Sequence, residues 1–254
     1  MNDSHEVSAR WTPPANFLRD RVVLVTGAGR GLGRAVALAC AAHGATVALL
    51  GRRPEALTET YDAIVAAGGQ EPAAIPLDLA TAGDREFDTL AQMLRRDLGR
   101  LDALVHCAVH FTPLGPLRDQ ALEQWTAHLR VNLAAPFALT RACLPLLAAA
   151  PDGTVVFTSE THAVRPAAYW GAFAVAKSGL HALAAIWADE CEQDRRPRFH
   201  VVVPGPVATP QRMQSHPGES RAALPKAEAV AIAYLRLLSP EGQSLGSAPL
   251  AVAT

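Results

Sequence analysis

The chain has 254 residues, half of them apolar and 19% charged, with 23 basic against 24 acidic side chains. A chain this long buries roughly 70–75% of its unfolded surface, so it needs no disulfide or metal staple. Its near-neutral charge excludes the global basic field that a nucleic-acid or anionic membrane partner would require.

Residues 1–20 have no apolar signal core and read as an N-terminal extension ahead of one domain over 21–254. No run of 18 apolar residues occurs, and Cys40, Cys107, Cys143 and Cys191 stand singly, without metal-ligand spacing. The expectation is a cytoplasmic protein with free thiols and no metal. From residue 22 onward, uninterrupted apolar runs at 22–26, 46–50, 73–77, 102–106, 154–158 and 199–203 read as buried strands. Helical patterns near 31–43, 54–67, 84–98, 119–148, 171–193 and 225–238 lie between and after them. That alternation predicts an α/β fold of the Rossmann type: a doubly wound, mostly parallel sheet with helices on both faces. The stretch at 171–193 is apolar on nearly every side until its end. It predicts burial by core or by a second copy, giving a homodimer or homotetramer through 119–148 and 171–193.

Thr26-Gly27-Ala28-Gly29-Arg30-Gly31-Leu32-Gly33 follows the first strand and opens the first helix. Glycines there allow a tight turn and bring backbone N–H groups and a helix N-terminus to a pyrophosphate. At the end of the second strand, where an acid would bind the ribose 2′-OH of NAD, the chain reads Gly51-Arg52-Arg53. Arg52 and Arg30 suit a 2′-phosphate, so NADP(H) is expected over NAD(H).

The spacing of Thr26, Gly27, Gly31 and Gly33 resembles the short-chain dehydrogenase/reductase family, over nearly the whole chain. The resemblance implies that Asp78 and Leu79 contact adenine. It implies that Pro204, Gly205, Val207 and Thr209, from a Pro-Gly-x-x-x-Thr stretch, hold the nicotinamide carboxamide. Ala108 falls within the family's Asn-Asn-Ala-Gly, here His106-Cys107-Ala108-Val109, where valine in place of glycine crowds the cofactor wall. Lys177, one of only two lysines, matches the residue that binds nicotinamide ribose, and Asn132 matches the asparagine of the fourth helix. Pro136, four residues on, has no N–H, which frees the Asn132 carbonyl for a relay water or simply kinks the helix.

The catalytic pair departs from the family. Its Tyr-x-x-x-Lys becomes Phe173-Ala-Val-Ala-Lys177, and the serine position is Glu160, with Ser159 one residue off. General acid–base catalysis contributes about 10²–10⁴-fold, and phenylalanine has no proton to give. Tyr169 and Glu160 are the candidate substitutes, with His162 and His106 behind them. A desolvated Glu160 would act as an acid, and an ionised one would favour a cationic, iminium-like substrate. Two functions remain open: an NADP(H)-dependent oxidoreductase of a small carbonyl, alcohol or imine-type substrate with a rebuilt site, and a non-catalytic NADP(H) sensor or partner subunit. The chain ends in APLAVAT, without the family's glycine-rich ending.

Overall fold

The computed structural model describes residues 6–193 and 196–253. Its elements in chain order are β1 (Glu6–Ser8), β2 (Val22–Thr26), α1 (Gly31–Ala42), β3 (Thr46–Gly51), α2 (Pro54–Ala66) and β4 (Ala73–Pro76). Then come α3 (Asp84–Met93), β5 (Ala103–His106), α4 (Leu122–Leu129), α5 (Ala135–Ala149) and β6 (Thr154–Thr158). The chain finishes with α6 (Thr161–Val164), α7 (Gly171–Glu190), β7 (Arg198–Val203), α8 (Pro210–Ser215), α9 (Ala227–Leu237) and β8 (Pro249–Ala253). All eight strands join one parallel sheet in the order β1-β8-β7-β6-β5-β2-β3-β4.

The all-apolar runs reflect this burial. Along β2, Val23 and Val25 pack into a core with α1, α2 and α9, while Val22 and Leu24 enter the opposite core with α3, α5 and α7. Both faces of the strand are covered, so neither period-2 position can be polar. The order reverses between β2 and β5, which opens a crevice beyond the strand ends at that point.

Two strands lie outside the six expected runs: β1, at one edge of the sheet, and β8 beside it. Only Leu250 is fully buried in β8, and β1 is a three-residue piece of the N-terminal extension pairing Glu6 to Ala251 and Ser8 to Ala253. Val7 and Leu18 are buried, so the described part of that extension packs with the domain. The long fourth helical pattern is continuous but carries a π-turn at Arg130–Ala134 between α4 and α5. Pro136 lies just beyond it, where its missing N–H cannot serve an α-helical carbonyl. By length and composition alone, Leu122–Ala149 and Gly171–Glu190 could each cross a bilayer, yet 50% and 44% of their most apolar windows are buried inside the fold. Their apolarity belongs largely to the interior.

Thr26 is the joint of the crevice. It is fully buried, and its Oγ1 accepts the backbone N–H of Cys107 at 3.1 Å and of Ala108 at 3.0 Å. Thr26→Val keeps the shape and orphans two N–H groups, each costing about 1–3 kcal/mol. Urea unfolding should show that loss, whereas Thr26→Ser should retain most of the stability.

Candidate functional site

The crevice is a single cleft of about 680 Å³ above the C-terminal ends of β2, β3, β5, β6 and β7. Its floor at one end is the glycine turn. Gly27 has φ +70°, and a Cβ there would lie 2.8 Å from the Ala108 Cα, so only glycine lets the turn meet the end of β5. Gly31 has φ +57° and opens α1. No side chain caps that helix and no acid stands in its first turn, which leaves its N–H groups directed at an anion. Arg30 and Arg52, both exposed, line the same end. Asp78 accepts the Ala80 N–H at 3.0 Å, shaping the turn that carries buried Leu79. Ala108, Pro204, Gly205, Val207 and Thr209 form the opposite wall. Thr209 Oγ1 caps α8 by accepting the Arg212 N–H at 3.2 Å. Every residue assigned to the cofactor from sequence lines this cleft except Thr26, which the fold uses internally.

Lys177, Phe173 and Glu160 meet at the other end. Lys177 is buried, and its Nζ donates to the Thr158 carbonyl at 2.7 Å. Burial lowers its pKa to about 8, against the upward pull of Cys107 and Glu160. Phe173 packs with Trp170 and Phe111 as one aromatic wall, with ring centroids 5.1–6.2 Å apart. His162 lies against the Trp170 ring at 4.1 Å, and His216 at 6.0 Å. Glu160 Oε1 is buried without a hydrogen-bond partner. Burial pushes that carboxyl up to about 7, although the His162 and Ala163 N–H groups, Lys177 and Arg212 pull it down. Arg212 is itself held by Glu219 through two contacts of 2.5 and 2.8 Å.

The short chain dehydrogenase profile matches residues 21–220. The chain belongs to this family. It is 34% identical over 233 residues to the uncharacterized oxidoreductase YciK of Escherichia coli K12, spanning 92% of each chain. A short chain dehydrogenase of Shigella flexneri 2a solved with NADP superposes with a TM-score of 0.90 at 33% identity, over 94% of this chain and 99% of that one. One from E. coli CFT073 solved with NADPH superposes at 0.91 and 33% identity, over 94% and 99%.

Several residues that the family resemblance singled out take other places. Tyr169 is 56% exposed and does not line the cleft. Its left-handed backbone (φ +74°) swings the following residue inward, so Trp170 occupies the wall instead. Tyr169 is therefore no substitute acid. His106 is buried, stacked on Phe157 at 5.0 Å and bonded to Thr140 at 3.0 Å; burial drives its pKa down to about 3, keeping it neutral and away from the cleft. Asn132 is likewise buried away from the cleft. Its side chain accepts the His110 N–H at 3.0 Å and donates to the His110 carbonyl at 2.8 Å, clamping the loop after β5. The Ala135 N–H steps back to Arg130, and Pro136 offers no N–H, so no α-helical donor reaches the Asn132 carbonyl. Ser159 does line the cleft, but its hydroxyl is engaged by His181 of α7 at 2.6 Å.

Beneath Lys177, Cys107, Thr158 and Tyr234 form a polar chain, with separations of 3.4 and 3.0 Å. Burial pushes the Cys107 thiol up to about 11, so it stays protonated and unreactive. Nothing in the linear pattern announced this chain, or the wall made by Phe111, Trp170 and His216.

Glu160 makes stability depend on pH. Its folded pKa of about 7 exceeds the ordinary 4.5, so the contribution is full below 4.5 and is lost as pH rises through 7. Glu160→Gln removes the ionisation. Its melting temperature relative to wild type should rise between pH 5 and pH 8 by on the order of 5–10 °C, measured by calorimetry.

Proposed function

We propose that this protein is an NADP(H)-dependent oxidoreductase in which Glu160 does the work that the family's tyrosine and serine share. The observation that carries it is the Glu160 carboxyl: unpartnered at Oε1, poised near neutrality, and in the same cleft as Lys177. When bound, NADP(H) supplies or accepts the hydride. The uncapped start of α1 and the glycine turn fit its pyrophosphate, and Arg30 and Arg52 fit a 2′-phosphate. Asp78 and Leu79, assigned to adenine, line the same cleft, which supports that role. Lys177 spends one of its three N–H donors on Thr158, leaving two for ribose hydroxyls. Pro204, Gly205, Val207 and Thr209, assigned to the carboxamide, line the cleft as that role requires. The NADP- and NADPH-bound relatives support this cofactor.

At the reacting end, the buried wall of Phe111, Trp170 and Phe173 excludes water from one side. Glu160 holds a proton or a negative charge at the reacting heteroatom of a small organic substrate. The absence of any tyrosine hydroxyl from the cleft supports a second reading, a non-catalytic NADP(H) sensor or partner subunit. Glu160→Gln separates the two. Under the first, turnover of a carbonyl and imine panel falls by about 10²–10⁴-fold while NADPH binding persists. Tight NADPH binding without turnover by the wild type would favour the second.

Arg52→Ala should weaken NADPH by about 10–100-fold, the worth of a charged hydrogen bond, and leave NADH nearly unchanged. Fluorescence titration of both nucleotides reads this. The protein is proposed to work in the cytoplasm as a homodimer or homotetramer through 119–148 and 171–193, where Phe137, Val175 and Ile186 remain exposed. A monomeric mass at micromolar concentration in light scattering would refute that assembly.

A further inference from the structure

Resting on the NADP(H)-dependent reading, we infer that the substrate is a cationic iminium. Its charge is seated between the Glu160 carboxylate and the aromatic wall of Phe111, Trp170 and Phe173, and hydride converts it to a neutral amine. Three observations carry this. First, Glu160 keeps an open acceptor in the cleft: Lys177 and Arg212 act on its carboxyl only through space, and no donor reaches Oε1. Lys177 spends a donor on the Thr158 carbonyl, Arg212 is held at two points by Glu219, and Glu160 Oε1 has no partner. A buried carboxylate in that condition gains most from a cationic ligand that brings its own charge.

Second, the wall beside it is built of rings with no hydrogen-bonding group at the Phe173 position. Phe173 already meets a cation with its face, the Lys177 Nζ lying 6.0 Å from the ring centroid. Aromatic faces attract desolvated cations and accept apolar substituents. They offer nothing to a carbonyl oxygen, which needs a donor as its negative charge develops.

Third, the chemistry balances without the missing acid. The iminium carbon gains a hydride, one C–H bond forms, and the C=N π pair retreats to nitrogen as a lone pair. The substrate is reduced by two electrons and NADPH is oxidised to NADP⁺, with the positive charge passing from substrate to nucleotide. No proton is required. A ketone reduced in the same place would leave an alkoxide that Phe173 cannot protonate. Glu160 then acts by charge and not by proton transfer, which fits a carboxyl that a bound cation would hold ionised.

The test uses the full chain with NADPH and two probes of one shape, N-methyl-3,4-dihydroisoquinolinium and the neutral ketone 1-tetralone. NADPH oxidation and product are followed for both. The expected result is a kcat/KM for the iminium at least about tenfold above that for the ketone, collapsing in Glu160→Gln. The double variant Phe173→Tyr, Glu160→Ser should reverse the preference toward the ketone. Reduction of tetralone with the iminium inert would overturn this inference and leave the oxidoreductase reading standing. Equal iminium turnover in wild type and Glu160→Gln would also overturn it. If NADPH itself fails to bind, the oxidoreductase reading falls and this inference falls with it.

Discussion

The hydroxyl of Thr26 holds two adjacent strand ends together at the point where the sheet changes direction, and the cleft depends on that joint. By satisfying the N–H groups of Cys107 and Ala108, it ends β5 against β2 without an orphaned donor. The glycine turn can then lie directly on Ala108, closer than any Cβ would permit. With the turn seated, α1 begins where its free N–H groups face the crevice, and the cofactor end of the site is assembled. The remaining strands contribute because all run parallel, so their C-terminal ends open on one edge.

The reacting end obeys a different constraint, that of charge in a half-buried space. A tyrosine–lysine pair shares a proton; here the same positions bring a phenylalanine face to a lysine ammonium, and a carboxyl occupies the serine position. Lys177 and Glu160 each lose solvation, and each moves toward neutrality for that reason. Asn132, set apart from the cleft, keeps the loop after β5 in place through His110 and so positions Phe111 from a distance.

Much of the fold was legible because parallel strands covered on both faces must be apolar without interruption, and six of the eight strands obey that rule. β1 and β8 did not announce themselves: a three-residue strand carries no period, and the short apolar run of β8 has no helical pattern after it to mark a β-α unit. The glycine turn was legible because its residues are close in sequence and backbone approach forces their type. The aromatic wall was not. Phe111, Trp170 and His216 come from three distant loops, and one left-handed residue decides that Trp170 rather than Tyr169 faces inward.

By itself, the sequence determined that the usual acid is missing, since no rearrangement of the chain restores a hydroxyl to Phe173. It also pointed to the glycines and cations suited to a nucleotide, because local backbone geometry and charge need no tertiary partner to be read. Only the tertiary structure decided what stands in the gap. Burial, hydrogen-bond partners and the direction of a side chain are properties of packing; they set Tyr169 and His106 apart from the cleft and left a buried, unpartnered oxygen of Glu160 within it.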